Sequence, residues 1–219
     1  MVNNVKLNDV MEFSKDVLGN DSTGHDFFHA QRVAQLAVTM YKKDFPNFTS
    51  NDINLILIMG YLHDVVDDKI INDIPKQLDT INQLPSVKNL TQIEYQELLY
   101  TIQHLSYSKN IDHHYELSIR GQYIQDADRI DALGAIGIAR AFAYGGKKGN
   151  LLHDPNIKFS QSNSKQEYRT KHTTTINHFY EKLLTLEFLM NTPQGKEIAR
   201  IRTNYMKDFL DEFFYEWGE

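Results

Sequence analysis

The stretch INLILIMGYLHDVVDDK, residues 53–69, is the part of the chain that decides the fold. From Ile53 to Leu62 apolar residues fall on nearly every side of a helix, whereas a surface helix carries them on one stripe only. The run is far shorter than the roughly 20 apolar residues that cross a bilayer. The sequence therefore predicts a buried helix that ends at an adjacent pair of polar residues, His63 and Asp64.

Helical periodicity extends through most of the remaining chain. Val33, Leu36, Ala37 and Met40 follow the i, i+3, i+4, i+7 spacing of one helical face. Pro193 is typical of a helix start, and a glycine pair is typical of a helix end. Similar apolar patterns predict further helices over residues 93–105, over 128–143 with Gly145 and Gly146 as its end signals, and over 176–190 and 195–217.

Strand signals are weak throughout the sequence. No segment alternates apolar and polar residues for more than a few positions, so a short hairpin within residues 147–165 is the only strand structure that we expect. The fold class predicted is all-α, a single compact helical bundle formed by residues 1–219. We expect its functional core at about residues 24–146, with C-terminal helices of about residues 165–217 packed on it.

The composition limits the function. Hydrophobic residues make up 41% and charged residues 24% of the 219 residues, as in a globular protein, and the net charge of −6 gives no basic surface for a nucleic-acid polymer. The absence of cysteine excludes a disulfide framework, a thiolate zinc site and a cysteine nucleophile. Asp9, Glu12 and Asp16 make the N-terminal segment unlike a signal peptide. We expect a cytoplasmic protein that does not bind membranes.

Three polar features lie on separate predicted helices. His29 lies on the apolar face of its helix, and His63–Asp64 ends the buried helix. Asp126, Asp128 and Asp131 are predicted to open the helix that continues to residue 143. Each feature alone is typical of a core histidine or a helix cap. Together they favour a metal site, because imidazole and carboxylate groups suit a divalent transition metal or magnesium.

The ordered set of these residues resembles the HD superfamily of metal-dependent phosphohydrolases, which is named after its adjacent His-Asp pair. An isolated His-Asp dipeptide is a weak signal, but four motifs in the right order are specific. The local resemblance is to the bacterial branch that includes nucleotide pyrophosphohydrolases, and it covers most of the chain. The matching strings are GHDFFHAQRVAQLA (residues 24–37), YLHDVVDDK (61–69), QDADRIDALGAIGIARAFAYGG (125–146) and NHFYEKLLTLEFLMNT (177–192).

This resemblance implies an HD-domain helical bundle and a set of four metal ligands. One divalent ion, Mn²⁺, Mg²⁺ or Co²⁺, would have two further coordination positions, for a water and for a phosphate oxygen. His25–Asp26 also reads His-Asp, and we interpret it as a support for the ligands or as a helix cap. At Arg120 the chain departs from the branch pattern, which has an acid there. The implied ligands are His29, His63, Asp64 and Asp128.

Five further residues are candidates for contact with the substrate. An acid shortly after the His-Asp pair assists the water in HD enzymes, so Asp67 is the candidate general base or acid, against the alternative of an exposed helix-end acid. Arg32 shares a helical face with the first histidine and is predicted to bind phosphate, unless it forms only a surface salt bridge. Lys69, His104 and Arg140 are further candidates for substrate binding.

The function implied is hydrolysis of a nucleoside triphosphate to a monophosphate and pyrophosphate through a metal-activated water. A nucleotide phosphomonoesterase and a phosphodiesterase use the same metal chemistry and stay open as alternatives. A non-catalytic HD module that binds a nucleotide as a sensor is an alternative of another class. The expected partner is a small phosphorylated molecule, in the first place a nucleotide, and the exposed faces of so many helices leave room for a homodimer.

Overall fold

The computed structural model describes residues 7–19, 24–66, 73–160, 164, 166–167 and 173–218, and within these ranges the chain forms helices and loops without a β-strand. The all-α prediction is therefore confirmed. In the part of the chain that is described, the 3₁₀ segments Tyr107–Asn110 and Leu183–Leu189 supplement the α-helices. The α-helices with described bounds are α1 Asn8–Leu18, α2 Phe27–Asp44, α3 Ser50–Leu62, α4 Ile74–Gln83, α5 Pro85–Lys88, α6 Gln92–His104, α7 Ile119–Asp131, α8 Gly134–Lys148, α9 Thr175–Glu181 and α10 Pro193–Trp217.

Helix α3 is the buried centre of the bundle, as its sequence predicts. It begins with a capping box, in which the Thr49 hydroxyl accepts the Asp52 amide and the Asp52 carboxylate accepts the Thr49 amide. Almost every residue from Ile53 to Leu62 is buried, because α1, α2, α6 and α7 all pack against this helix. The helix ends at Leu62, and His63 follows as its C-cap.

Helices α2 and α3 cross in very close contact at Gly60. A β-carbon at this position would lie 2.5 Å from the Cα and 2.6 Å from the Cβ of Ala34, which is closer than real atoms approach. Both residues are fully buried. The smallest side chains are therefore required here, and the crossing fixes the start of α2 relative to the end of α3.

The structure corrects the prediction of one helix over residues 128–143. Helix α7 ends at Asp131, and α8 begins at Gly134 after a short break. Gly134 has φ +72°, a left-handed conformation that suits glycine, and its Cα faces the side chain of Arg202 in α10. The acids that were predicted to open a helix therefore lie at the end of one.

Two further helix boundaries differ from the prediction. Helix α8 continues through the glycine pair and ends at Lys148, and its C-cap Gly149 has a φ of +73°, the usual left-handed conformation of such a cap. The helix predicted over residues 176–190 is the short α9 followed by the 3₁₀ segment Leu183–Leu189. Apolar spacing is similar in both kinds of turn, so periodicity did not separate them.

Helix α10 closes the bundle from the C-terminal side. It packs against α8, the 3₁₀ segment Leu183–Leu189, α7 and α2, which are the elements around the predicted functional core. The division into that core and a C-terminal part stays a prediction. Among the helices described, none combines the length and the apolar character that a bilayer-spanning segment needs.

We expect Gly60→Ala to lower the free energy of unfolding by about 1–3 kcal/mol, because overpacking at the crossing outweighs the better helix propensity of alanine. Gly146→Ala is the matched control, since a β-carbon there meets no atom within 4 Å. That variant should be neutral or more stable by up to about 1 kcal/mol. Urea unfolding of both variants measures the difference, and equal effects would contradict the tight crossing.

Candidate metal centre

Three helices bring their polar ends together beside the crossing of α2 and α3. His29 lies in the first turn of α2, where the N-cap Asp26 accepts its backbone N–H at 2.8 Å. His63 and Asp64 follow the last residue of α3 directly, and Asp128 lies in the last turn of α7. Local capping and helix ends thus determine where each of these side chains begins.

The four predicted ligands converge on one point. The Nε2 atoms of His29 and His63 are 3.1 Å apart. The Oδ2 atom of Asp64 lies 3.4 Å from each of these nitrogens. The Oδ1 atom of Asp128 lies 3.4 Å from Nε2 of His29 and 3.8 Å from Nε2 of His63. Four donor atoms from three helices therefore face one another across a space of a few ångströms.

The hydrogen bonds at Nδ1 of each imidazole ring determine whether the facing Nε2 atom carries a proton or a lone pair. Nδ1 of His63 donates to the backbone carbonyl of Gly60 at 2.7 Å, and Nδ1 of His29 donates to Asp131 at 2.7 Å. In the neutral rings both Nε2 atoms then carry lone pairs. Two lone pairs that face each other at 3.1 Å beside two carboxylates repel unless a cation lies between them.

The donor set fits a divalent metal ion. For metal–ligand bonds of about 2.0–2.3 Å, neighbouring ligands of an octahedron are about 2.8–3.3 Å apart. The observed separations of 3.1–3.8 Å are close to that range. Two neutral imidazoles and two carboxylates balance the charge of the ion. His25 also lies here, since its Nδ1 is 2.9 Å from Oδ2 of Asp64 and it could supply a further nitrogen.

The electrostatics keep both carboxylates in the ligand form. Burial raises the pKa of Asp128, but its hydrogen bond with His29 and the charges of both histidines lower that pKa to about 2. Burial also raises the pKa of Asp64, and the charges of His63 and His25 bring it well below the usual value. Burial lowers the pKa of His29, whereas its three carboxylate neighbours raise it to about 10. A proton therefore takes the cation's place when no metal is bound.

Behind His29, Asp131 forms the centre of a second polar cluster. Its Oδ2 accepts Nδ1–H of His29, and Arg32 donates to both carboxylate oxygens, from Nε at 2.7 Å and from Nη2 at 2.9 Å. Arg140 donates from Nη1 to Oδ2 at 2.8 Å. Burial raises the pKa of Asp131, and these partners lower it far below the usual value. This carboxylate holds the His29 ring in the tautomer that a metal ligand needs.

Sequence reasoning had given Asp131 no role beyond that of an acid at the start of a helix. The residue follows Asp128 by three positions, which places both on one helical face, so the spacing carried a usable signal. The spacing did not predict, however, which neighbouring element this face of α7 points towards. That direction depends on the end of α7 at Asp131 and on the approach of α2.

The other predicted site residues are placed as follows. Arg32 and Arg140 have their guanidinium groups on Asp131, so their binding of substrate phosphate stays a prediction. The ring of His104 stacks on Tyr100 with centroids 4.4 Å apart and is tilted against Tyr115 with centroids 4.3 Å apart, so its contact with substrate stays a prediction. Asp67 and Lys69 lie outside the described residues.

Arg120, the departure from the branch pattern, has a structural environment of its own. Its guanidinium binds Glu97 of α6 at 2.5 Å and Asp52 of α3 at 2.8 Å. The residue thereby joins α3, α6 and α7 near the N-terminal ends of α3 and α7, whereas the predicted ligands His63, Asp64 and Asp128 lie at the C-terminal ends of these two helices. The arginine leaves the converging ligands unaffected.

Comparison with known proteins gives one consistent family. The family model described as HD domain matches residues 27–133. The uncharacterized protein YpgQ of Bacillus subtilis is 30% identical over 90% of this chain and 86% of its own length. Its crystal structure in complex with ADP superposes with a TM-score of 0.74 at 28% identity, covering 99% of this chain and 97% of that one.

Two further crystal structures are more similar in sequence. A protein of Lactobacillus plantarum has a TM-score of 0.83 at 37% identity, covering 100% of this chain and 99% of its own. A structure described as an HD-superfamily hydrolase, from Bacillus thuringiensis, has a TM-score of 0.69 at 36% identity, with 97% of both chains covered.

We expect Asp131→Asn to weaken the binding of Mn²⁺ by about 10–100-fold, because an amide neither fixes the His29 tautomer nor neutralises the two arginines. Asp9→Asn is a matched control, since the Asp9 carboxylate also accepts two hydrogen bonds, both from Ser86, and contacts none of the four predicted ligands in them. Calorimetric titration of the metal-free proteins measures both affinities. An unchanged Mn²⁺ affinity in Asp131→Asn would contradict this role.

Proposed function

The chain belongs to the HD-domain family, and on that premise we propose that this metal-dependent phosphohydrolase converts nucleoside triphosphates to monophosphates and pyrophosphate. The proposed ligands of one divalent ion are His29, His63, Asp64 and Asp128. The observation that carries the proposal is the 3.1 Å approach of two imidazole nitrogens between two carboxylates, an arrangement that a divalent ion would bridge. Four protein ligands leave an octahedral ion two positions for exchangeable oxygen ligands.

The proposed reaction assigns separate roles to the bound ion, to the histidines that would hold it and to Asp67. A bound divalent ion supplies Lewis-acid chemistry, since it lowers the pKa of a water and polarises a phosphoryl group. His29 and His63 offer neutral nitrogens because Asp131 and the Gly60 carbonyl accept their Nδ1 protons. Asp67, three residues after Asp64, is proposed to take the proton of the attacking water.

Cationic side chains are needed for the phosphate chain, whose charge one ion does not balance. Arg32 uses Nε and Nη2 for Asp131, so Nη1 is the nitrogen that we assign to a substrate phosphate. Lys69 is proposed to bind the same chain. Arg140 and His104 are proposed as further contacts of the nucleotide, with Arg140 also holding Asp131.

A nucleotide substrate is supported by the relative YpgQ, which has been crystallised with ADP. The proposed cleavage lies between the α- and β-phosphates, where water attacks the α-phosphorus and pyrophosphate leaves. A phosphomonoesterase would release orthophosphate instead, and a phosphodiesterase would open a diester. A sensor module would bind the nucleotide and return it intact. The four outcomes differ in their products.

Product analysis in ¹⁸O-labelled water tests the reaction. We expect nucleoside triphosphate and Mn²⁺ to give monophosphate and pyrophosphate, with the label in the monophosphate because the α-phosphorus is attacked. Asp64→Ala should abolish turnover and retain the far-ultraviolet circular dichroism spectrum. Asp79→Ala, which removes an exposed acid of α4, is the control and should keep wild-type turnover. Release of orthophosphate, or no turnover of any nucleotide, would contradict the proposal.

For the proposed general base, we expect Asp67→Asn to lower kcat by roughly 10²–10⁴-fold and to leave the bound metal unchanged, because the amide accepts no proton. Asp68→Asn, in the next residue of the chain, is the matched control. Steady-state kinetics and metal analysis on both variants make the comparison. A wild-type kcat in Asp67→Asn would contradict the catalytic role and favour the alternative of an exposed helix-end acid.

A further inference from the structure

Arg129 is a buried cation that the proposed reaction does not use. It follows Asp128 directly in α7, and only 7% of its surface is exposed. Its Nη1 donates to the backbone carbonyl of Leu189, so the side chain reaches from α7 to the 3₁₀ segment that precedes α10. The side chain is thus held in place by a neutral acceptor.

The guanidinium is incompletely paired. No carboxylate among the described residues lies within salt-bridge distance of Arg129, and its buried Nε–H has no hydrogen-bond acceptor there. The nearby acid Asp126 is bound by the backbone and side-chain donors of Asn191 and Thr192. Burial of a charged group with an unsatisfied donor is costly, and an anion bound beside the guanidinium would offset part of that cost.

This arginine lines a cavity of about 270 Å³. The wall carries the ring of Tyr107, the imidazole of His114 and residues 188–191, and it carries no carboxylate among the described residues. The ammonium group of Lys182 lies 4.9 Å from the centre of the Tyr107 ring and adds positive charge beside the cavity. A small anion in this cavity would therefore face a buried cation and no carboxylate of the described wall.

We propose that this cavity is a phosphate-binding subsite in which the guanidinium group of Arg129 binds a phosphoryl oxygen. The flat guanidinium offers parallel N–H groups that match phosphate geometry. The choice of phosphate over carboxylate rests on the proposed function, since Arg129 neighbours a ligand of the phosphohydrolase centre. The alternative is a counter-charge for Asp126 and Asp128, a role that involves no bound anion.

Arginine side-chain NMR tests the subsite directly. The metal-free protein, labelled with ¹⁵N, is titrated with orthophosphate while the Nε–H resonances of its seven arginines are followed. The Arg129 resonance is assigned through its own backbone, so the decision depends on no variant. We expect that resonance to shift in a saturable way at millimolar phosphate. An unmoved Arg129 resonance, or an equal shift with acetate, would overturn the proposal.

Two arginine variants add a quantitative comparison. Arg129→Lys keeps the positive charge but loses the planar guanidinium group with its parallel N–H donors. The affinity for phosphate, measured by calorimetry, should therefore weaken about tenfold or more. Arg202→Lys is the matched control, because Arg202 also donates to a backbone carbonyl, that of Ile130, and does not line the cavity. Equal phosphate affinities of the two variants would count against the subsite.

A final arm identifies the source of the phosphate. A non-hydrolysable nucleoside triphosphate is added with Mg²⁺, which is diamagnetic and leaves the resonances sharp, before the orthophosphate titration. If the substrate's own chain occupies the subsite, the Arg129 resonance shifts with the analogue and no longer responds to orthophosphate. If a separate anion binds there, the response to orthophosphate persists. The titration of the metal-free protein measures binding and does not depend on turnover. Failure of the proposed reaction and failure of the subsite are therefore distinguishable.

Discussion

The close crossing of α2 and α3 is the constraint on which the rest of the structure depends. At Gly60 the helices approach until there is no space for a β-carbon beside Ala34. Because His29 lies in the first turn of α2 and His63 directly follows α3, this contact brings the two rings close together, and their Nε2 atoms are 3.1 Å apart. Gly60 also supplies the carbonyl that accepts Nδ1 of His63, so the same residue sets both the distance and the tautomer.

Charge is arranged in two layers around that crossing. The inner layer joins two histidines to the carboxylates of Asp64 and Asp128, and it has room for a cation. The outer layer joins Asp131 to the other side of His29 and is neutralised by two arginines. A buried carboxylate is costly unless it is paired, and here each carboxylate has cationic or N–H partners. The pairing holds the imidazole rigidly, which is what a metal ligand needs.

The helix break between Asp131 and Gly134 shows where sequence patterns were insufficient. Alanine- and leucine-rich sequence continues through the break, so local propensity favours one long helix over residues 128–143. The left-handed φ of Gly134 and the packing of its Cα against Arg202 select the bend. Arg202 belongs to α10 and lies 68 residues after Gly134 in the chain, since 202 − 134 = 68. The break lets α7 end at the metal site while α8 runs on to carry Arg140 back to Asp131.

The sequence by itself determined the helical class, the buried helix α3 and the order of the four converging residues, because periodicity and short motifs are local properties. Only the tertiary structure decided that Arg32 and Arg140 hold Asp131, and that Arg129 lines a cavity with an unsatisfied N–H. A long flexible cation can reach many acceptors from one backbone position, and the acceptor it finds depends on distant elements that pack around it. Spacing along a helix gives the direction of a side chain, whereas its partner is a property of the assembled core.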